Sequence, residues 1–89
     1  MISCHITIVN KRGLHARAAA LFVTLAASFN SKILLKQGDR ALNGKSILGI
    51  MTLAAAKGST LELVIDGADE QVALEKLSSL VARGFDEKD

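Results

Sequence analysis

The 89 residues leave room for a single domain over residues 1–89, and 49% apolar with 22% charged residues excludes a wholly disordered chain. Three aromatic residues are too few for a stacking platform that binds single-stranded nucleic acid. Residues 1–45 hold seven basic and one acidic residue and residues 46–89 hold four basic and eight acidic ones, which favours an anionic protein surface or a phosphate group over duplex nucleic acid.

The first half of the chain is predicted to form a strand, a helix and a hairpin. Apolar and polar residues alternate over residues 2–8, which is the period of a strand with one buried face. A polar loop at residues 10–13 leads to a helix over residues 16–28. Strands at residues 32–36 and 40–42 flank a turn signal. The helix is expected to bury residues three and four positions apart, namely Ala19, Phe22, Val23, Ala26 and Phe29.

The second half is predicted to add two helices and a strand. Ser46 is a natural N-cap for a helix from residue 47 to about residue 55, and Asp69 is a natural N-cap for the last helix. Residues 60–66 are predicted to form the strand between them, and the charged tail over residues 85–89 is expected to fray. The order β-α-β-β-α-β-α predicts an α+β two-layer sandwich, with the helices on one face of a mostly antiparallel sheet.

The start of the first helix carries the main chemical signal. His15 follows a loop glycine, and the backbone N–H groups of Ala16 and Arg17 are expected to point outward where the helix dipole is positive. An anion formed at His15 would meet these N–H groups, and the guanidinium of Arg17 can hold phosphate with several donors. The pattern is typical of a phosphohistidine site with a neutral imidazole as nucleophile. The alternative is a helix-capping histidine beside a solvated arginine.

Two blocks of the sequence resemble those of one family. Residues 10–20 have the sequence NKRGLHARAAA, which resembles the active-site signature of HPr, the histidine-containing phosphocarrier protein of the phosphoenolpyruvate-dependent phosphotransferase system. Residues 43–51 have the sequence NGKSILGIM, which is similar to the regulatory-serine region of that family. The spacing of the blocks, the chain length and the element order also agree, so the resemblance covers essentially the whole chain.

The resemblance implies both a fold and a relay. The fold is an open-faced β-sandwich, with four antiparallel strands covered on one face by three helices. In the relay, His15 accepts a phosphoryl group through Nδ1 from the phosphorylated first enzyme, phosphoenolpyruvate-protein phosphotransferase, and Arg17 stabilises the phosphate. His15 then donates the group to a histidine of a downstream protein. The chain is thus a carrier without turnover of its own, needs no cofactor and serves sugar uptake or nitrogen-related regulation.

One position departs from the family pattern. Ala18 follows Arg17 where the family usually has proline, so one more N–H is free and the backbone is less rigid, but no reacting group is lost. Ala18, the run LAAAKG at residues 53–58 and the ending GFDE at residues 84–87 resemble the nitrogen-related branch of the family.

The second block suggests a regulatory serine and a surface for partners. Ser46 is an N-cap and, by resemblance, a phosphorylation site for a serine kinase and phosphatase. Ile50 suffices with Leu53 to anchor the short helix, which leaves neighbouring apolar residues for acidic partner proteins; the alternative is that all of them are core. The expected docking surface comprises Arg12, Ala20, Leu21, Thr24, Lys45, Ile47, Leu48 and Met51.

The cysteine, the second histidine and the apolar stretches bear on the cellular compartment and on metal binding. Cys4 is the single cysteine, so no intramolecular disulfide can form and a reducing compartment is expected. Cys4 and His5 are neighbours in a strand and point to opposite faces, so we predict no metal site. Residues 47–56 are too short a stretch for membrane insertion, and residues 1–9 lack the basic leader of a signal peptide. We expect a cytoplasmic monomer that binds no nucleic acid.

Two other classes of function stay open at this level. A small phosphate-hydrolysing enzyme of α+β build would release phosphate from acyl phosphates without any partner. A non-phosphorylated regulatory binding module would bind the partners of a carrier without relaying phosphate, although the presence of His15 and Arg17 argues against it.

Overall fold

The structure, a computed structural model that describes residues 1–53 and 55–87, has the predicted order of strands and helices and one further turn near its end. The strand predicted over residues 60–66 agrees at both ends with the one observed. The elements are β1 (Ile2–Thr7), α1 (Ala16–Ala27), β2 (Lys32–Gln37), β3 (Arg40–Asn43), α2 (Ile47–Met51), β4 (Thr60–Asp66), α3 (Glu70–Ala82) and a 3₁₀ turn (Gly84–Asp86).

The four strands form one antiparallel sheet in the order β1-β4-β2-β3. In its central strand, Leu63 pairs with Cys4 of β1 and with Leu35 of β2. Every second residue of β4 is buried, because α1 and α3 close the core over one face of the sheet while the other face stays open. The expected open-faced β-sandwich of four strands and three helices is confirmed.

The C-terminal tail is folded onto this core, so the prediction that residues 85–89 fray is wrong for residues 85–87. Phe85 is completely buried, although its φ of +57° lies in the left-handed region. Burying a phenylalanine side chain contributes roughly 1.5–3 kcal/mol, which offsets the about 1–2 kcal/mol that the left-handed conformation costs at Phe85 itself. Burial of this ring therefore holds the tail against the domain, and Lys88 and Asp89 lie outside the described residues.

Helix α2 ends at Met51, earlier than the predicted end near residue 55. The guanidinium of Arg40 donates hydrogen bonds to the carbonyl oxygen and the hydroxyl of Thr52, both at 2.9 Å. A cation at this point satisfies a carbonyl that has no partner within the helix and complements the negative end of the helix dipole. Ala54, which falls in the predicted helix, lies outside the described residues.

Asp69 does not cap α3 with its side chain, contrary to the prediction. Its carboxylate instead accepts hydrogen bonds from the backbone N–H groups of Asn30 and Ser31, at 2.8 and 3.0 Å, and from the hydroxyl of Ser31. These bonds lower the pKa of Asp69, with the Ser31 hydroxyl as the largest cause. The loop before α3 packs closely on Ser31, since a Cβ on Gly67 would lie 2.5 Å from its Oγ. Asp69 thus ties two loops together.

Candidate functional site

His15 is the N-cap residue of α1. Its backbone is extended, its carbonyl oxygen accepts the N–H of Ala19 at 2.8 Å, and its side chain makes no capping bond to the helix. The loop before it is packed on residues 55 and 56, because the N–H of Leu14 donates to the carbonyl of Ala55 at 2.8 Å. Gly13 has φ +68°, and a Cβ there would lie 2.6 Å from the same carbonyl. The loop therefore requires glycine immediately before Leu14 and His15.

The imidazole of His15 is accessible from solvent, with 17% of its side-chain surface exposed. The first turn of α1 follows His15 directly, and the N–H groups of Ala16, Arg17 and Ala18 in that turn have no acceptor among the described residues. That turn contains no acidic residue. The structure thus places an imidazole, unpaired amides and the positive end of a helix dipole in one small region, which suits an anion.

Arg17 extends from this turn into solvent, with 62% of its side chain exposed. Ala18, which follows Arg17, is completely buried and packs in the core. Its methyl group therefore packs inside the domain. Its N–H, like those of the two preceding residues, has no acceptor among the described residues. The extra free donor predicted for this position is present.

Glu87 is the site residue that sequence reasoning missed. Its Oε2 bonds to Nε2 of His15 and lies 3.7 Å from Nη1 of Arg17, while its Oε1 accepts from Nδ2 of Asn10 at 2.8 Å. Only 6% of the Glu87 side chain is exposed, and Asn10 is buried. The hydrogen bond from Asn10 is the largest cause of a lowered pKa for Glu87, and His15 and Arg17 add to it. Glu87 is therefore ionised at neutral pH.

The sequence contains a partial signal for the return of the tail toward His15. Gly84 follows the end of α3 with φ +64°, and an apolar residue after such a glycine commonly packs back on its helix. That rule predicts burial of Phe85. It does not predict the path to His15, because Phe85 and Asp86 both have positive φ, which is uncommon for residues other than glycine.

The predicted docking residues on α1 and α2 are largely exposed. Leu48 is 76% exposed, and Leu21, Ile47 and Met51 are also exposed large apolar residues, whereas Ile50 is completely buried. The alternative in which all of these α2 residues are core is therefore wrong. The two helices that carry these residues pack against each other.

The other predicted docking residues differ in their surroundings. Arg12 and Thr24 are exposed, and Ala20 is half-buried. An apolar groove along α1 is lined by Arg17, Ala20, Leu21, Thr24, Leu25, Ser28 and Leu80. Lys45 is more constrained, since its Nζ donates to the carbonyl of Phe29 at 2.7 Å. It therefore holds the end of α1 to the loop before α2.

Ser46 is the N-cap of α2, as predicted. Its Oγ accepts the N–H of Gly49 at 3.2 Å, and the residue is half-buried. The hydroxyl oxygen is thus already occupied as an acceptor by the helix that it begins.

The side chains of His5 and Cys4 lie on opposite faces of β1 and therefore do not form a common site. His5 is exposed and Cys4 is half-buried on the other face of β1, where burial raises the pKa of the thiol. Within the described residues, no group of three or more histidine, cysteine or acidic side chains is arranged to hold a metal ion. In the same part of the chain, no helix has the length and apolar character needed to cross a bilayer.

The open-faced sandwich and the histidine at an unpaired helix N-terminus define a class of small domains that carry a phosphoryl group between proteins. A family model described as "PTS HPr component phosphorylation site" matches residues 2–83. The chain belongs to the HPr family and is a phosphocarrier protein. This finding supports neither the small phosphate-hydrolysing enzyme nor the non-phosphorylated binding module.

Individual relatives agree with the family model over the full chain. The chain is 47% identical over 87 residues to phosphocarrier protein HPr of Neisseria meningitidis serogroup A, which covers 98% of each chain. Its structure is similar to that of HPr-C-His from Thermoanaerobacter tengcongensis, with a TM-score of 0.95, 42% identity and complete coverage of both chains. An HPr dimer from the same organism matches with a TM-score of 0.79 and 42% identity, covering 98% of this chain and all of that one.

Proposed function

We propose that His15 is the phosphoryl carrier of this protein and that it uses Nδ1. The observation that carries the proposal is the state of the ring: Nε2 is bonded to Glu87, the imidazole is solvent-accessible, and free amides adjoin it. Within the described residues Nδ1 has no hydrogen-bond partner, which leaves its lone pair for an incoming phosphorus atom.

The donor is the phosphorylated first enzyme of the relay, phosphoenolpyruvate-protein phosphotransferase, and the acceptor is a histidine of a downstream protein. The amides of Ala16 and Arg17, together with the guanidinium of Arg17, hold the phosphoryl oxygens during both transfers. The family match to residues 2–83 supports these partners. The protein itself has no independent turnover, because each phosphoryl group that it receives must leave to a partner.

The decisive test is phosphorylation of a variant in which His15 is replaced by alanine. We expect wild-type protein incubated with phosphoenolpyruvate and the first enzyme to gain one acid-labile phosphate, seen by intact mass before and after mild acid. His15→Ala should gain none, whereas His5→Ala, which removes the other histidine, should be phosphorylated like wild type. Acid-labile phosphate on the His15→Ala protein would show that another residue is the acceptor.

Partner proteins are proposed to dock on the exposed apolar residues of α1 and α2. The support is the exposure of four large apolar residues, Leu21, Ile47, Leu48 and Met51. Arg17 lines the same groove as Leu21, Lys45 precedes Ile47 by two residues, and Arg12 is exposed in the loop before α1. An apolar patch with a basic rim suits an acidic partner surface, and flexible methionine helps one patch to accept several partners.

Ser46 is proposed to be a regulatory phosphorylation site that a serine kinase and a phosphatase modify. A phosphate at the N-terminus of α2 is compatible with the helix, since its charge opposes the helix dipole. The same charge would lie next to Ile47 and Leu48 and would repel an acidic partner.

The cellular setting is proposed from the family and the composition. The protein acts in the cytoplasm, in sugar uptake or in nitrogen-related regulation, and the identity of the downstream histidine protein distinguishes the two. We expect a monomer, which light scattering at working concentration would distinguish from a dimer such as the one described for the Thermoanaerobacter tengcongensis protein.

A further inference from the structure

The carboxylate of Glu87 determines which nitrogen of His15 carries the proton. An ionised carboxylate only accepts hydrogen bonds, so its bond to Nε2 requires that the hydrogen of the neutral imidazole is on Nε2. Nδ1 is then the unprotonated nitrogen of the ring. The same bond restricts rotation of the ring, because Glu87 is almost fully buried and cannot follow a freely moving side chain.

Asn10 holds the second oxygen of this carboxylate. Its Nδ2 donates to Oε1 of Glu87 at 2.8 Å and to the carbonyl oxygen of Gly13 at 2.7 Å. Rotating the amide by half a turn would place its oxygen against these two acceptors, so the chemistry of the neighbours determines its orientation. Since Asn10 and Gly13 belong to the loop that precedes His15, the loop and the tail form one hydrogen-bonded unit.

We propose that Glu87 is a positioning residue for phosphoryl transfer, which keeps the proton of His15 on Nε2 and balances the charge that the ring gains when Nδ1 is phosphorylated. This inference rests on the proposed function of His15. It concerns a residue outside the span of residues 2–83 that the family model matches.

The transfer step shows why a carboxylate at Nε2 is useful. The lone pair of Nδ1 forms a bond to phosphorus while the N–P bond of the donor histidine breaks and its electron pair returns to the donor nitrogen. The hydrogen stays on Nε2, so the phosphorylated ring of His15 becomes an imidazolium. Glu87 lies at the nitrogen that shares this positive charge, as the carboxylate does in a serine-protease triad. Donation to the next protein reverses the same changes.

The alternative is that Glu87 slows phosphoryl transfer, since a negative charge close to the site also repels a phosphoryl group. Two features favour the positioning role. The carboxylate is bonded to the nitrogen that does not react, and Arg17 lies 3.7 Å from it with a compensating charge. The two roles predict opposite effects on the transfer rate when the carboxylate is removed.

The first measurement uses the unphosphorylated protein alone. At about pH 8.5, where an ordinary histidine is neutral, ¹⁵N NMR of the His15 ring should show the proton almost entirely on Nε2. In Glu87→Ala we expect a mixture of the two tautomers, and Glu87→Gln should lie between, because a neutral oxygen remains as acceptor. Glu75→Gln, an exposed glutamate on α3, is the matched control and should leave the ring signals unchanged.

The second measurement is the rate of phosphoryl transfer from the phosphorylated first enzyme. Loss of a group that orients a metal-bound histidine commonly costs 10–100-fold. By analogy we expect about a 10-fold slower rate for Glu87→Ala and a smaller loss for Glu87→Gln. Unchanged tautomers, or a rate for Glu87→Ala that equals or exceeds wild type, would refute the proposal. Failure of the proposed function itself would appear separately, as acid-labile phosphate on His15→Ala, and would not alter the NMR result.

Discussion

The guanidinium of Arg17 lies near one anion and is proposed to bind another. Its Nη1 is 3.7 Å from Glu87, which is longer than a hydrogen bond, and most of its side chain is in solvent. An ion pair this exposed contributes less than about 1 kcal/mol, whereas charge-assisted bidentate bonds to a phosphoryl group are stronger. The guanidinium can therefore leave Glu87 for the phosphoryl oxygens at little cost, while Glu87 stays on Nε2 of His15.

Substituting Arg17 should separate charge from geometry. Hydrogen bonds to charged groups contribute about 1.5–3 kcal/mol, so Arg17→Ala should slow phosphoryl transfer by roughly 10–100-fold. Arg17→Lys retains a charge but loses the planar pair of donors, and we expect it to recover only part of the rate. The measurement is the initial rate of phosphate incorporation from the first enzyme, with Lys32→Ala on β2 as control. A wild-type rate for Arg17→Ala would exclude this role.

At the scale of elements, Ser46 and Asp69 show how far a helix start can be predicted. Both residue types accept hydrogen bonds from free N–H groups, and both precede a helix. Ser46 bonds to its own helix, but Asp69 bonds to Asn30 and Ser31 of a distant loop. The sequence indicates the capacity to accept, and only the tertiary neighbours decide which N–H groups are available. The end of α2 likewise depends on a tertiary neighbour, since Arg40 of β3 donates a hydrogen bond to the carbonyl of Thr52 just after the helix.

The double role of Ser46 can be tested with two substitutions. Ser46→Ala removes the cap and should lower the free energy of unfolding by about 1 kcal/mol, measured by urea denaturation. Ser46→Asp retains a capping oxygen, so we expect nearly wild-type stability, but its charge should slow phosphoryl transfer if the partner surface is acidic. An unchanged transfer rate for Ser46→Asp would contradict the regulatory proposal, and Ser46→Ala with full stability would contradict the cap.

For the whole molecule, residue patterns were enough to predict the sheet, and they also predicted the position of His15 at a helix N-terminus. Alternating apolar residues in β1 and β4 predicted the buried face, and the glycine before His15 pointed to a helix N-terminus. The return of the tail was not predictable, because it depends on burial of Phe85 against the assembled core and on positive φ values at Phe85 and Asp86. Glu87 was consequently missed, although it contacts His15 directly.

The residues of the proposed docking surface can change without loss of stability, because other residues anchor α2 to the core. Helix α2 is anchored by Ile50, which is completely buried, and Leu53, which is nearly so. Leu48 is on the outside of the same helix and contributes little to the core, with 76% of its surface exposed. Large exposed apolar residues near basic ones are costly to solubility, so their presence favours a role in binding.

Leu48→Ser should therefore weaken partner binding and leave the fold intact. We expect the free energy of unfolding to change by less than about 0.5 kcal/mol, because the side chain is mostly in solvent. The KM of the first enzyme for the variant should rise several-fold with little change in kcat, since docking contacts stabilise the complex before and during transfer alike. Val72→Ser, an exposed apolar residue on α3 outside the docking surface, is the matched control. If both variants raise KM equally, the surface on α1 and α2 has no special part in docking.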